Sequence, residues 1–250
     1  MPAKPAETPY MHRIASFPAN EQGRDFVVGD VHGHFELLAT VLDKLDFNTE
    51  IDRFFSVGDL IDRGPDSENV LHWLAKPWFH AVRGNHEQMV IDGICGRGDK
   101  PRHIRNGGAW LYELNPAIQE QLLNALQALP LIIEIDLSAN KKIGIVHAQA
   151  PIIGPNNDWQ GAKDAITGKL GEQLQQQALA QALYARDKIE QQDSTPIEGV
   201  HELYVGHSTV PTVTRLGNVV YVDTGCSFSD GALSLMEITS QSVFSMGMTD

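Results

Sequence analysis

The sequence predicts an α/β fold, and three observations carry that expectation. Three times before residue 90 a β-rich apolar run stops at a Gly followed by Asp or Asn, over residues 26–30, 54–59 and 81–85. Helical patterns separate these runs: residues 35–45, with Phe35, Leu38, Val41, Leu42 and Leu45 on one face, and residues 67–74. The last fifty residues return to β-like runs at 202–205, 212–216, 219–223 and 232–238. Strand–helix–strand alternation builds right-handed crossovers and a sheet with a parallel portion. Side chains just past the strand ends then line one crevice.

In the middle of the chain Asn115 and Pro116 read as the N-cap and first-turn pair of a helix. Its stripe is Ile118, Leu122, Leu126 and Leu129, and Pro130 ends it. Short strands are expected at 131–137 and 142–146, a loop over 154–168, and a Gln-rich helix with a solvated face over 171–190. Gly217-Asn218 suits a two-residue hairpin turn. With no internal repeat and no linker inside 25–240, residues 25–250 are expected to form a single domain. The polar, Pro-rich residues 1–24 are expected to be a loose N-terminal arm.

Composition narrows the function. A chain of 250 residues with 42% hydrophobic residues can bury a sizeable core. Lys+Arg 19 against Asp+Glu 32 gives a net charge of −13, spread along the chain with no basic cluster to displace counterions, so no nucleic-acid partner is expected. An anionic substrate must then be held by something local, such as metal. No apolar run reaches the roughly 20 residues of a membrane span, and the start lacks a signal-peptide h-region, so a cytoplasmic protein is expected. Cys95 and Cys226 lack metal-binding spacing and read as free thiols. Oligomeric state is left open.

The strand ends hold the candidate chemistry. In the extended segment Gly29-Asp30-Val31-His32, Asp30 and His32 project to one side and can share a metal ion, or they form a Gly-Asp turn with a surface histidine. Gly58-Asp59-Leu60-Ile61-Asp62-Arg63-Gly64 offers two carboxylates and a guanidinium, or an exposed turn with an ion pair. Arg83-Gly84-Asn85-His86-Glu87 is a third cluster or a helix N-cap. Two later runs end in His147 and His207. Five strand-like runs each ending in Asp, Asn or His make the joint reading stronger than any one. Oxygen and imidazole ligands without thiolate suit Mn²⁺, Fe or catalytic Zn²⁺, and they suffice for two ions if one carboxylate bridges.

GDVHGH, GDLIDRG and GNHE, in that order and followed by single His-Ala and Gly-His pairs, resemble the phosphoprotein phosphatases of the calcineurin-like metallophosphoesterases, with small bacterial and phage members closest in size. The resemblance covers residues 25–240. It implies a four-layer α-β-β-α sandwich of two mixed β-sheets flanked by helices, with two divalent ions, manganese foremost and iron or zinc as alternatives. It assigns Asp30, His32 and bridging Asp59 to one ion, and Asp59, Asn85, His147 and His207 to the other. His86 matches the proton donor to the leaving oxygen, and Asp62 the carboxylate paired with it. Arg63 matches a phosphate-binding arginine. Arg186 corresponds to a second, because Tyr184-Ala185-Arg186-Asp187-Lys188-Ile189 looks like a Trp-x-Arg-x-x-Ile segment with Tyr in place of Trp.

The implied activity is metal-dependent removal of phosphate from phosphoserine and phosphothreonine proteins by in-line attack of a dimetal-activated water, with phosphotyrosine left open. Its closest enzyme rival is the symmetrical dinucleoside tetraphosphate hydrolase, a group that typically carries Ala where Asp62 stands and Asp where Glu87 stands. A catalytically inactive scaffold should have lost ligands, yet each expected one is present. A nuclease is opposed by the net charge. His12, His34, His72, His80, His103 and His201 have no motif partner and read as structural or surface residues. Trp73 and Trp78 read as packing residues, Asp223-Thr224-Gly225-Cys226 as a segment near the site without assigned chemistry, and Arg83 as a phosphate contact or a strand-end ion pair.

Overall fold

The computed structural model describes residues 13–137, 141–153 and 158–248. Two mixed sheets lie face to face. The five-stranded sheet runs β11-β10-β2-β3-β4, from β2 (Asp25–Val28), β3 (Arg53–Ser56), β4 (Phe79–Ala81), β10 (Ala232–Glu237) and β11 (Val243–Gly247). In it β2, β3 and β4 are parallel and β10 runs against β2. The six-stranded sheet runs β1-β5-β6-β7-β9-β8, from β1 (Ile14–Phe17), β5 (Ile132–Asp136), β6 (Lys142–Val146), β7 (Glu202–Val205), β8 (Thr214–Leu216) and β9 (Val219–Tyr221). Here β6, β7 and β9 are parallel. The Gly217-Asn218 turn joins antiparallel β8 and β9 as expected.

Successive residues of each strand feed different cores, because side chains alternate faces. Phe26 and Val28, Phe54, and Leu233 and Leu235 pack outward against α1 (Phe35–Lys44), α2 (Val70–Leu74), α3 (Asn85–Ile94) and α5 (Pro116–Ala128), a core that also holds Trp73 and Trp78. Val27, Phe55, Ile143, Ile145, Tyr204 and Val220 meet between the sheets. Leu203, Val205, Val219 and Tyr221 pack outward against α6 (Trp159–Ile166) and α7 (Glu172–Tyr184). Three cores separate four layers, the sandwich that the resemblance implies. Burial on both faces is why these strands read as continuous apolar runs.

Three expectations are corrected. The loose arm over 1–24 is wrong for its second half: Ile14–Phe17 pairs parallel with β5, which satisfies backbone groups that the polar flanks left unannounced. Residues 1–12 lie outside the described residues. Of the loop expected over 154–168, residues 154–157 lie outside the described residues and the rest contains α6, capped by Asp158, whose side chain accepts from the Gly161 N–H at 2.7 Å. Burial of Trp159, Ala162, Ala165 and Ile166 against the sheet outweighs Gly161. The helix over 171–190 breaks at Ala185 and Arg186, and α8 (Asp187–Glu190) starts anew.

Candidate metal centre

The parallel pairing puts the C-terminal ends of β2, β3 and β4 at one edge of their sheet, and those of β6 and β7 at the same edge of the other. From these ends come Asp30 and His32, Asp59 and Asp62, Asn85 and His86, His147 and His207. His32, Asp59, Asp62, Arg63 and His207 all have positive φ, between 44° and 70°. Left-handed backbone at non-glycine residues is a strained arrangement that concentrates where side chains must be aimed. Glycines let the carboxylates come close: a Cβ on Gly84 would lie 2.2 Å from Asp59 Oδ1, and one on Gly206 2.0 Å from Asp30 Oδ1.

Asp59 sits at the centre. His32 Nε2 and His86 Nε2 are each 3.8 Å from its Oδ2, and His147 Nε2 is 3.4 Å from its Oδ1. Asp30 Oδ2 lies 3.9 Å from His32 Nε2, and the His207 backbone N–H faces both Asp30 oxygens at 3.2 and 3.1 Å. Asn85 Oδ1 is 2.9 Å from His147 Nε2. Donor atoms of Asp59, His147 and His207 cluster within 4.8 Å of one another, as do those of His32, Asp59 and His86. Rings are aimed from behind: His32 Nδ1 donates to the Ile61 carbonyl at 3.0 Å and His147 Nδ1 to the Val57 carbonyl at 2.8 Å, leaving each Nε2 with its lone pair toward the site.

Electrostatics divides the histidines. Burial lowers the pKa of His32 to about 3 and that of His147 below the usual range. Burial and the neighbouring His147 lower that of His207 to about 3. In His86 burial opposes charging, but the Asp59 charge and the Asp62 hydrogen bond prevail and the pKa is raised. Asp59 stays below the carboxylate range, its burial outweighed by His147, His86 and His32. Burial, with the Asp223 and Asp59 carboxylates, pushes Asp30 well up. Buried carboxylates facing unprotonated imidazole nitrogens form a donor set that fits divalent cations, which would relieve the carboxylate repulsion and accept the ring lone pairs. The Cys226 thiol is turned aside, donating to the carbonyls of Asp30 and Val31.

All ten residues singled out from the sequence come together. Asp30, His32, Asp59, Arg63, Asn85, His86, Arg186 and His207 line one cavity of about 380 Å³. Asp62 and His147 lie just behind it, against His86 and Asp59. His86 Nδ1 donates to Asp62 Oδ2 at 2.7 Å. Arg63 Nη2 is 3.5 Å from His86 Nε2, and its guanidinium lies over Phe228. Arg186 reaches the cavity because the break after α7 places it at the N-cap of α8. Arg83 does not line it: its guanidinium donates to Gln88 and to the carbonyls of Gln127 and Leu129.

Sequence reasoning put the Asp223 segment near the site without giving it chemistry, and it missed other neighbours. Asp223, beyond the end of β9, is buried in the cavity wall and obeys the same strand-end pattern as the candidate ligands. Arg102 and Asn106 bring α4 (Lys100–Arg105) and its end to the rim. His103 is not without a partner: it is buried, with Nε2 3.0 Å from Asp62 Oδ2. The Gly107-Gly108 pair that follows α4 was the available signal of a close approach there.

The pattern of the calcineurin-like phosphoesterases matches residues 26–226. The chain belongs to that family. Among curated family members, serine/threonine-protein phosphatase 2 of Escherichia coli is 34% identical over 232 residues, covering 90% of this chain and 98% of its own. The symmetrical bis(5'-nucleosyl)-tetraphosphatase of Erwinia tasmaniensis is 32% identical over 125 residues, 49% of this chain and 43% of its own. The solved structure of a protein serine/threonine phosphatase from Saccharomyces cerevisiae shares the fold with a TM-score of 0.64 at 14% identity, over 96% of this chain and 85% of its own. These phosphoesterases are dimetal proteins, consistent with the donor set.

Proposed function

We propose that this phosphoesterase is a metal-dependent phosphomonoester hydrolase that removes phosphate from phosphoserine and phosphothreonine in proteins. The observation that carries this reading is the Asp62–His86 pair, bonded at 2.7 Å beside the metal donor set. Serine and threonine alkoxides are far more basic than a phenolate, whose conjugate acid has a pKa of about 10, so their departure benefits from a delivered proton. His86 fits that role: its Nδ1 is held by a carboxylate, its pKa is raised, and its Nε2 faces the cavity. Its Nε2 is also near Asp59, but a protonated ring cannot serve as a ligand.

Asp30, His32 and Asp59 would hold one ion, and Asp59, Asn85, His147 and His207 the other. Once bound, two divalent ions supply Lewis-acid activation of water and offset charge on the phosphoryl oxygens. The O/N donor set suits manganese, with iron or zinc as alternatives. Arg63 and Arg186 grip the phosphate oxygens through their guanidinium forks. With Arg102 they make the cavity mouth locally positive on a chain of net charge −13. Both cysteines are free thiols, which suits a cytoplasmic setting. Among the described residues no helix is long and apolar enough to cross a membrane.

The tetraphosphatase relative supports a second reading, but its match spans less than half of either chain, and Asp62 and Glu87 are both the residues of the protein phosphatases. Turnover of a phosphoserine peptide and of diadenosine tetraphosphate, side by side, is the test. Faster turnover of the peptide is expected; faster turnover of the nucleotide would reverse the assignment.

A further inference from the structure

The segment after α3 approaches the acid pair from beneath. Asp62 is fully buried, and its two oxygens take three N–H groups from three places in the chain. Oδ2 accepts from His86 Nδ1 at 2.7 Å and from His103 Nε2 at 3.0 Å, and Oδ1 accepts from Trp110 Nε1 at 2.7 Å. The Asp62 backbone N–H donates to Ser67 Oγ at 2.9 Å. His103 is itself fixed: Nδ1 lies 3.0 Å from the Tyr112 hydroxyl, and a Cβ on Gly108 would come within 2.0 Å of Nε2. A carboxylate with one partner can swing about its terminal torsion and offer either oxygen. With Oδ1 held by Trp110 and Oδ2 also held by His103, the Asp62 carboxylate cannot swing without breaking a second hydrogen bond, and it presents one fixed direction to His86.

We infer that His103, seconded by Trp110, is a positioning residue for proton delivery: it locks the Asp62 carboxylate so that the His86 ring keeps Nε2 aimed at the leaving oxygen. This rests on reading His86 as the general acid. His103 lies behind the cavity wall and touches no metal donor named above; its effect passes through Asp62. A residue needed only to fill this space would be apolar, since a buried imidazole is costly unless its N–H finds an acceptor. The pairing with an ionised carboxylate is the stronger kind of hydrogen bond, which adds direction as well as strength.

The test compares metal-loaded wild type with His103→Leu, His103→Gln and His86→Asn on a phosphoserine peptide and on an aryl phosphate with a good leaving group. His103→Leu should lower kcat on the peptide about tenfold, a fraction of what a general acid contributes, with the aryl phosphate losing less than about threefold and KM little changed. His103→Gln keeps an N–H donor and should recover most of the peptide rate. Equal losses on both substrates, or no loss on the peptide, overturn the inference. If the leucine variant does not fold, Trp110→Phe, which removes the Oδ1 donor, should show the same selectivity in smaller degree, and equal losses there overturn it as well. If His86→Asn is itself unselective, the acid reading falls and the inference with it. A selective His86→Asn beside an unselective His103→Leu overturns the inference alone.

Discussion

The floor of the cavity and its rim are built differently. Behind the floor, buried Asp62 and His103 and partly buried Trp110 form a network that holds the cavity-lining His86, and both Asp62 oxygens have a donor. At the rim, Arg63, Arg102 and Arg186 come from a loop, a short helix and a helix break, with Arg63 resting over Phe228 and Arg102 over Tyr184. On the proposed roles, groups that time a proton are fixed before substrate arrives, whereas groups that grip a solvated dianion stay where water and substrate can reach them. The floor should therefore govern kcat and the rim KM.

Substitutions can break or sharpen that division. The largest effect is expected from Asp59→Asn, which removes the shared carboxylate: about a thousandfold or more loss of turnover on any phosphomonoester, with fewer ions bound per chain by metal analysis. Retention of both ions would show that Asp59 is not the bridge. His86→Asn comes next, with about a hundredfold or more loss on a phosphoserine peptide and a much smaller loss on an aryl phosphate. Equal losses would move His86 from floor chemistry to simple binding. Arg186→Ala should raise KM about tenfold on both substrates with kcat little changed. A selective kcat effect would erase the contrast between floor and rim.

The smallest effect lies outside the cavity and shows what an ordinary buried carboxylate does. Glu134 is opposed by its burial, but Lys142, Lys163 and Trp159 donate to it at 2.6 to 2.8 Å and bring its pKa from 4.5 to about 2. Because the folded pKa is the lower one, its stabilisation is present above the unfolded value and is lost as pH falls toward the folded one. Melting temperature followed from about pH 6 to pH 3 should fall less steeply in Glu134→Gln than in wild type. An identical slope would mean that Glu134 carries none of the acid sensitivity.

The same contrast explains what could be read in the sequence. The candidate ligands were legible because each follows a β-run, with Gly next to all but His147, a pattern set by backbone geometry within a few residues, and the family resemblance then gave each its role. The helix stripe of α5, its Asn115 cap and the hairpin at Gly217-Asn218 were legible for the same local reason. His103 was not, because its role depends on an acceptor 41 positions earlier in the chain. Nor was β1, an edge strand defined only by pairing with β5, or α6, whose eight residues include a glycine and are held by tertiary burial. The break that delivers Arg186 follows a Gln-rich stretch with no proline or glycine to announce it.

The dimetal assignment is met most directly by anomalous scattering from crystals soaked in Mn²⁺. Two peaks are expected, both within coordination distance of Asp59, one also touching Asp30 and His32 and the other Asn85, His147 and His207. A single peak, or a pair that does not share Asp59, would contradict it.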